Sequence, residues 1–194
     1  MAVKQTLQIG DPRLKAENKV VSDFNNPVVK QVVQDLVDTM HQNELIGMAA
    51  SQIGENWKIF VTEPRETKTR PADQADESRI YINPTIVDYS GEENVIYEGC
   101  GSVLSGALFG PVRRPKEITI EACNQNGDKF RLTCDGILAR VIQHEYDHLL
   151  GIEFTEKISD YKKLMTAEFY RATIKMSPEQ IEASKITKKV ATRL

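Results

Sequence analysis

The chain has 194 residues, of which 40% are hydrophobic and 27% charged, and its formal net charge is −3. These values are typical of one globular domain with a substantial core, and the small negative charge gives no reason to expect DNA binding. The chain also contains no apolar run near the roughly 20 residues that a transmembrane helix needs, and its N-terminus lacks the apolar core of a signal peptide.

The first predicted elements are a helix and a strand. Asn26 and Pro27 are typical of an N-cap and a first helical position, and apolar residues at helical spacing follow them. A helix is therefore predicted to begin there and to end near Gln42. WKIFVTE is a short strand candidate. Residues 64–78 are polar and hold two prolines, which indicates an exposed loop within the domain.

The second half of the chain contains strands followed by helices. RIYINPTIVDY, EITIEAC and KFRLTC are predicted strands, and Asn126-Gly127 indicates a hairpin between the last two. Asp135 is expected to cap the next helix and Gly151 to terminate it. Apolar residues at helical spacing predict another helix over 161–176, and Ser177-Pro178-Glu179-Gln180 is typical of the start of a last one.

The motif HEYDH, residues 144–148, lies on the helix predicted after Asp135. Histidines four residues apart share a helix face, so His144 and His148 can reach one metal ion. This is the HExxH pattern of metal-dependent hydrolases, in which the glutamate, here Glu145, is the general base. Apolar residues surround the motif, which indicates a buried helix whose ionisable side chains need partners.

The pattern leaves the third metal ligand open, because catalytic sites of this kind usually have three protein ligands. Glu168, Glu179 or Glu182 would suit a zinc endopeptidase, but none of them lies in a second motif. Upstream, Cys100 stands between two glycines in YEGCGSV. Glycines on both sides indicate that the backbone approaches another group closely.

Three motifs in order resemble those of the peptide deformylase family. LIGMAASQIG at 45–54, EGCGS at 98–102 and HEYDHLLG at 144–151 match its GxGxAAxQ, EGCxS and HExDH segments, and GDPRLK at 10–15 resembles its start. With the predicted elements, the resemblance implies an α+β single domain. Mostly antiparallel sheets would pack around a central helix bearing HExxH, with a C-terminal helix.

The resemblance also implies an activity: removal of the formyl group from N-formylmethionine of nascent polypeptides, with release of formate. It implies that Cys100, His144 and His148 bind one divalent metal ion, with Fe²⁺ expected and Zn²⁺, Ni²⁺ or Co²⁺ as substitutes. It further implies that Glu145 is the base and that Gln52 assists. The Gln52 amide and the Gly101 backbone N–H are expected to stabilise negative charge on the formyl oxygen.

The methionine side chain needs an apolar pocket. The resemblance favours as substrate-binding residues Ile46, Gly47, Ile96, Glu98, Ile137, Arg140 and Val141. For each apolar one, plain core packing is the alternative. Glu98 resembles a glutamate of the family that is paired with an arginine beside the metal site, and the expected partner is Arg114 or, failing that, Arg113.

Two residues depart from the family's usual pattern. Bacterial members usually have glycine where this chain has Leu45, and leucine where it has Gly101. Because the two exchanges are opposite in volume, we hypothesise that Leu45 fills the space that a leucine at position 101 would occupy.

The C-terminus is predicted to be separate from the catalytic domain. We assign residues 1–176 to that domain and 177–194 to a basic extension. Residues 183–194 carry four cations and no acid, and apolar residues follow at 186, 190 and 194, as in a short basic amphipathic segment. Docking near the ribosomal exit tunnel is one interpretation, and a solvated tail is the other.

The three cysteines are odd in number and show no disulfide-framework spacing, which favours a reducing compartment and hence the cytoplasm. A monomer that binds neither DNA nor membranes is expected. Two alternative functions stay open: a zinc endopeptidase, and a catalytically weak binding protein on the deformylase fold.

Overall fold

The polypeptide forms two antiparallel sheets, with one long helix in contact with both. The computed structural model describes residues 3–194. The helices are α1 (Pro27–Gln42), α2 (Gly136–Leu149), α3 (Ala167–Thr173) and α4 (Pro178–Ser184). The strands are β1 (Gly47–Ala49), β2 (Ile59–Thr62), β3 (Arg79–Tyr89), β4 (Glu93–Gly99), β5 (Leu108–Pro115), β6 (Glu117–Cys123), β7 (Lys129–Asp135), β8 (Met165–Thr166) and β9 (Lys189–Arg193).

The larger sheet has the strand order β1-β2-β3-β6-β7-β9, and the smaller has the order β4-β5-β8. All neighbouring strands are antiparallel. The α+β prediction is confirmed, and so is the hairpin between β6 and β7, where Gly127 has a φ of 85°. The sequence did not predict β4 and β5, because their residues lie among glycines and prolines.

Strand β2 shows why helices cover both faces of the larger sheet. Its side chains are buried throughout. Ile59 and Val61 pack into a core with α1, whereas Phe60, between them, packs into a second core with α2. Successive side chains of a strand point to opposite faces, so a continuous apolar run needs cover on both sides. Helix α2 is therefore buried beneath the sheet.

The predicted ends of α1 are confirmed, and α2 also begins and ends near the predicted residues. Asp135, however, makes no capping hydrogen bond to α2. Its carboxylate accepts instead from the backbone N–H groups of Thr187 and Lys188 and from the Thr187 hydroxyl. Gly136 is required here, because an added Cβ would lie 2.0 Å from the Lys185 carbonyl oxygen.

The helix predicted over 161–176 is wrong in extent. Tyr161–Lys163 forms a 3-10 turn, Met165–Thr166 pairs with β5 as the short strand β8, and only Ala167–Thr173 is α-helical. The Thr166 side chain accepts from the Phe169 N–H and caps α3 at its start. Phe169 and Met176 are exposed, so their periodic spacing does not mark a buried face. Strand pairing overrides the local pattern in this segment.

The basic C-terminal segment does not form an amphipathic helix, and its last residues are extended. Strand β9 pairs with β7, with Val190 opposite Thr133 and Leu132 opposite Ala191. The division at residue 177 stays a prediction, although β9 is an edge strand of the main sheet. Within residues 3–194, no helix is both long enough and apolar enough to cross a membrane.

Candidate functional site

The three sequence motifs meet at one buried cluster. Gln52 lies in a 3-10 turn (Ala50–Ile53), Cys100 directly follows β4, and His144 and His148 lie on α2. One ligand atom from each of Cys100, His144 and His148 lies within 4.8 Å of the others, and all three residues are buried. Cys100 Sγ is 3.3 Å from His148 Nε2. The structure thus brings the predicted ligands together.

This donor set fits a divalent metal ion. His144 donates from Nδ1 to Glu98 Oε2 at 2.8 Å, which leaves its Nε2 for a metal. Burial and the nearby His144 hold the pKa of His148 well below its usual value, so its imidazole is neutral, as a metal ligand must be. One thiolate and two imidazole nitrogens are a ligand set that both zinc and iron accept.

The alternative third ligands lie outside this cluster. Glu168, Glu179 and Glu182 are all exposed on α3 and α4. In the described part of the chain, the one group of histidine, cysteine and acidic side chains close enough to hold a metal contains none of them. The geometry thus gives no support to a peptidase-type ligand set.

Glu98 joins the metal site to a buried network of charges. Its carboxylate accepts from Arg114 Nε at 2.8 Å and from Arg140 Nη1 at 2.9 Å, besides His144. Burial alone would raise the pKa of Glu98, but Arg114, His144 and Arg140 hold it well below its usual value. Of the two partners predicted for Glu98, Arg114 is therefore the right one. Arg140 also binds Glu98, so its guanidinium helps to hold the Glu98 carboxylate in place.

The sequence analysis missed two acidic residues of this site. Asp147 accepts from Arg114 Nη1 at 2.5 Å. Glu153 Oε2 lies 3.6 Å from His148 Nδ1, and each of the two side chains is 1% exposed. Neither Glu153 oxygen nor His148 Nδ1 has a hydrogen-bond partner within residues 3–194. A carboxylate facing the second nitrogen of a ligating histidine orients the ring. Of these two residues, only Asp147 could have been noticed in the sequence, because it is the fourth residue of HEYDH.

Glu145 lies against the backbone of β1. A Cβ added to Gly47 would come within 2.6 Å of Glu145 Oε1 and 2.5 Å of Val141 Cγ2, so glycine is needed at this position. Burial raises the pKa of Glu145 to about 7. A carboxylate with this pKa can both accept and release a proton near neutral pH.

Gln52 is held by both ends of its amide. Its Oε1 accepts from the Ala49 N–H at 2.8 Å, and its Nε2 lies 3.2 Å from Ser102 Oγ and 3.4 Å from Cys100 Sγ. Gly101 follows Cys100, and its N–H donates to no backbone or side-chain acceptor within residues 3–194. Two donors therefore lie next to the Cys100 thiol.

Leu45 occupies the space beside Gly101. A Cβ built on Gly101 would lie 3.0 Å from Leu45 Cδ1, and the next nearest side chain, Thr6, is 3.7 Å away. This contact supports the hypothesis that the two departures compensate each other in volume.

A cleft of about 370 Å³ opens onto the site. All of the expected substrate-binding residues line it, together with Gln52, Cys100, Gly101, His144 and Glu145. Ile96 and Val141 are almost fully buried, whereas Ile46 and Ile137 are partly exposed. The cleft therefore combines an apolar wall with the side chains of Cys100, His144 and Glu145.

Comparisons of sequence and of structure with known proteins all find peptide deformylases. The profile of the polypeptide deformylase family matches residues 3–164. The peptide deformylase of Neisseria gonorrhoeae is 36% identical over 163 residues, covering 84% of this chain and 91% of the relative. Peptide deformylase 1 of Ralstonia nicotianae is 35% identical over 185 residues, covering 95% and 100%. A crystal structure of the class I type b peptide deformylase from Acinetobacter baumannii with Met-Ala-Ser bound superposes with a TM-score of 0.74 at 28% identity, covering 81% and 99%.

Proposed function

This chain belongs to the polypeptide deformylase family, and we propose that it removes the formyl group from N-formylmethionine of nascent polypeptides and releases formate. One observation carries the proposal: buried Cys100, His144 and His148 lie within ligand distance of one another beside Glu145, at the wall of a cleft. The Acinetobacter relative has Met-Ala-Ser bound, which is the peptide that removal of the formyl group from formyl-Met-Ala-Ser would leave. This supports the proposed substrate class.

In the proposed reaction, Glu145 accepts the proton of the attacking water and delivers it to the leaving amine. The bound ion, held by Cys100, His144 and His148, would lower the pKa of that water and polarise the formyl group. Gln52 Nε2 and the Gly101 N–H donate to the formyl oxygen as negative charge develops on it. Glu98 and Glu153 orient the two imidazoles and take no part in proton transfer.

The apolar wall of the cleft is the proposed binding pocket for the methionine side chain. Ile46, Ile96, Ile137 and Val141 supply apolar surface, and Gly47 presents backbone without a side chain that would narrow the cleft. Arg140 contributes its aliphatic stem, since its guanidinium is fixed by Glu98, Asn94 and the Val112 carbonyl. An unbranched thioether adapts well to such a surface.

The proposed native metal is Fe²⁺, with Zn²⁺, Ni²⁺ or Co²⁺ able to replace it. A thiolate ligand makes a ferrous site sensitive to oxygen, because thiolate character promotes cysteine oxidation. Elemental analysis of protein purified without oxygen should find one iron per chain. Zinc in place of iron would contradict this assignment and leave the reaction itself unaffected.

The ribosome is a further proposed partner, through the basic segment 183–194. Its four cations are all engaged by carboxylates of the fold, in the pairs Lys185–Glu182, Lys188–Glu117, Lys189–Asp76 and Arg193–Asp128. Every side chain in these pairs except that of Asp76 is at least partly exposed. Exposed ion pairs contribute only about 0–1 kcal/mol, so RNA phosphates can compete for Lys185, Lys188 and Arg193. Replacing the three cations at 188, 189 and 193 with glutamine should weaken ribosome binding, and unchanged affinity would exclude this role.

We also propose a cytoplasmic monomer, because nascent chains are made in that compartment and free thiols persist there. The test of the whole proposal is formate release from formyl-Met-Ala-Ser by protein kept without oxygen and loaded with iron or zinc. Cys100→Ala should lose both the metal and the activity. Absence of formate from metal-loaded wild-type protein would contradict the deformylase assignment.

A further inference from the structure

One wall of the cleft is built by residues beyond the family match at 3–164. Helix α3 and the turn after it contribute Tyr170, Arg171 and Lys175, and α4 contributes Gln180 and Ser184. From the other side, the loop 64–78 contributes Thr69, Arg70 and Gln74. The wall formed by α3, α4 and the turn between them therefore lies outside the segment that carries the deformylase motifs, whereas the loop 64–78 lies between two of those motifs.

The wall is fixed to the body by specific contacts. The Tyr170 ring stacks on the Phe109 ring of β5, with centroids 4.1 Å apart and planes 7° from parallel. Gln180 Oε1 accepts from the Tyr97 N–H at 3.2 Å, and its Nε2 lies 3.4 Å from the Tyr170 hydroxyl. Tyr170 and Gln180 are therefore held in place before a substrate arrives, which lowers the entropic cost of binding against this wall.

Three of these side chains, Arg70, Arg171 and Lys175, form what we call the cationic rim. Within the described chain, no carboxylate lies within 4.0 Å of any of them, in contrast to the four paired cations of segment 183–194. The side-chain hydrogen bond of Arg70 runs from Nη1 to the Arg65 carbonyl at 3.2 Å. The rim is thus a group of like charges without internal neutralisation.

Of the three rim cations, Lys175 is close enough to both Arg70 and Arg171 to be affected by their charges. Burial, then Arg70 and Arg171, lowers the pKa of Lys175, and burial lowers that of Arg70. Partly dehydrated like charges raise the free energy of the empty cleft, and an anion placed among them would remove this cost.

The acids that line the cleft do not neutralise the rim. Glu98 is bound by Arg114, Arg140 and His144, and Glu145 lies beside the metal ligands. Glu44, the third lining acid, forms no ion pair with any residue of 3–194. The rim is therefore free to bind a negative charge supplied from outside.

We propose that the cationic rim binds the side-chain carboxylate of an aspartate or glutamate that follows formylmethionine in the substrate. This inference rests on the proposed deformylase function and adds a preference to it: nascent chains with an acidic residue shortly after the first methionine are favoured. The guanidinium groups of Arg70 and Arg171 suit this ligand because their planar forks match a carboxylate.

The test uses metal-loaded protein and C-terminally amidated formyl-Met peptides that carry glutamate or glutamine at position 2, 3 or 4. At one position the glutamate peptide should have a kcat/KM about three- to ten-fold higher, mainly through KM, since ion pairs near a surface are modest. The advantage should shrink at about 1 M salt, where the Debye length is near 3 Å. Equal rates for glutamate and glutamine at all three positions would overturn the proposal.

Variants separate the rim from general charge effects. Arg171→Glu should reverse the preference, and Lys175→Gln should reduce it. Lys30→Gln is the matched control, because Lys30 is an exposed cation on α1 outside the cleft whose ammonium donates to Asn25. It should leave the ratio between the two peptides unchanged. A preference that survives Arg171→Glu would contradict the assignment.

One further arm distinguishes the source of the carboxylate. Free-acid and amidated forms of formyl-Met-Ala-Ser are compared, and a gain confined to the free acid would show capture of a C-terminal carboxylate and overturn the side-chain proposal. Failure of the deformylase function itself is distinguishable, because then none of the peptides would release formate.

Discussion

The metal centre and the cationic rim line the same cleft, but the charges at the centre are paired within the protein and those at the rim are not. At the centre, Glu98 and Asp147 are bound by Arg114, and Arg140 adds a second cation to Glu98. At the rim, Arg70, Arg171 and Lys175 have no carboxylate partner in the part of the chain that the structure describes. Buried charges must be paired for the fold to be stable, whereas half-exposed charges can remain unpaired until a ligand binds. The centre is therefore an arrangement built by the protein alone, and the rim is one that a substrate completes.

The largest expected effect is the loss of Arg114. Arg114→Ala leaves Glu98 and Asp147 buried without their guanidinium, and breaking such a pair costs about 3–5 kcal/mol of unfolding free energy. Urea unfolding measures this loss. The neighbouring Arg113 is exposed and serves as control, with an expected change within about 0.5 kcal/mol for Arg113→Ala. A cost below about 1 kcal/mol for Arg114→Ala would mean that the centre does not depend on internal pairing.

The next effect concerns the position of Glu145. In Gly47→Ala the new methyl group would collide with Val141 and Glu145, which moves the carboxylate. A displacement of about 1 Å can cost roughly 10²-fold in rate, so kcat should fall by about that factor while metal content stays the same. Gly91→Ala, where an added Cβ meets nothing within 4 Å, is the control. Normal turnover by Gly47→Ala would show that Glu145 tolerates the shift.

Glu153 tests whether pairing at the centre extends to the second histidine. Glu153→Leu removes the carboxylate that faces His148 Nδ1, and loss of such a partner typically weakens metal binding about 10- to 100-fold. Competition with a chelator measures the affinity. Glu153→Gln keeps a hydrogen-bond acceptor and should recover part of it. Equal affinities for the wild-type protein and Glu153→Leu would reduce Glu153 to a packing residue.

The smallest effect should have the opposite sign. Lys175→Gln removes one of three mutually repelling cations, so the unfolding free energy should stay the same or rise by up to about 0.5 kcal/mol, and more so at low salt. Thermal unfolding at two salt concentrations measures it. A loss above about 1 kcal/mol would reveal an internal partner for Lys175 and remove the contrast between rim and centre.

The centre could be predicted from the sequence because its residues lie in three short motifs. HEYDH gives the histidines and Glu145 by helical spacing, and the resemblance adds Cys100 and Gln52. Glu153 could not be predicted, since it lies outside the motif and acts through a turn of the chain after α2. The rim joins Arg70 to residues of α3 and of the turn after it that are far away in sequence, so no local pattern contains it.

The fold shows the same division between local and long-range information. Helix α1 and the β6–β7 hairpin follow from caps, periodicity and a turn signal. The pairing of β8 with β5 and of β9 with β7 depends on distant partners, and it overrides helical spacing in one segment and free-tail composition in the other. The four cations of 183–194, which are conspicuous in the sequence, form ion pairs with carboxylates of the same chain.

Glu145→Gln tests the central claim most directly, because the substitution keeps the shape of the side chain and removes its ability to take a proton. Metal content and formate release from formyl-Met-Ala-Ser are measured on the same anaerobic preparation, beside wild-type protein. We expect full metal content with formate release lowered by about 10²–10⁴-fold, the usual contribution of a general base. Formate release near the wild-type rate would contradict the assignment of Glu145 as the base.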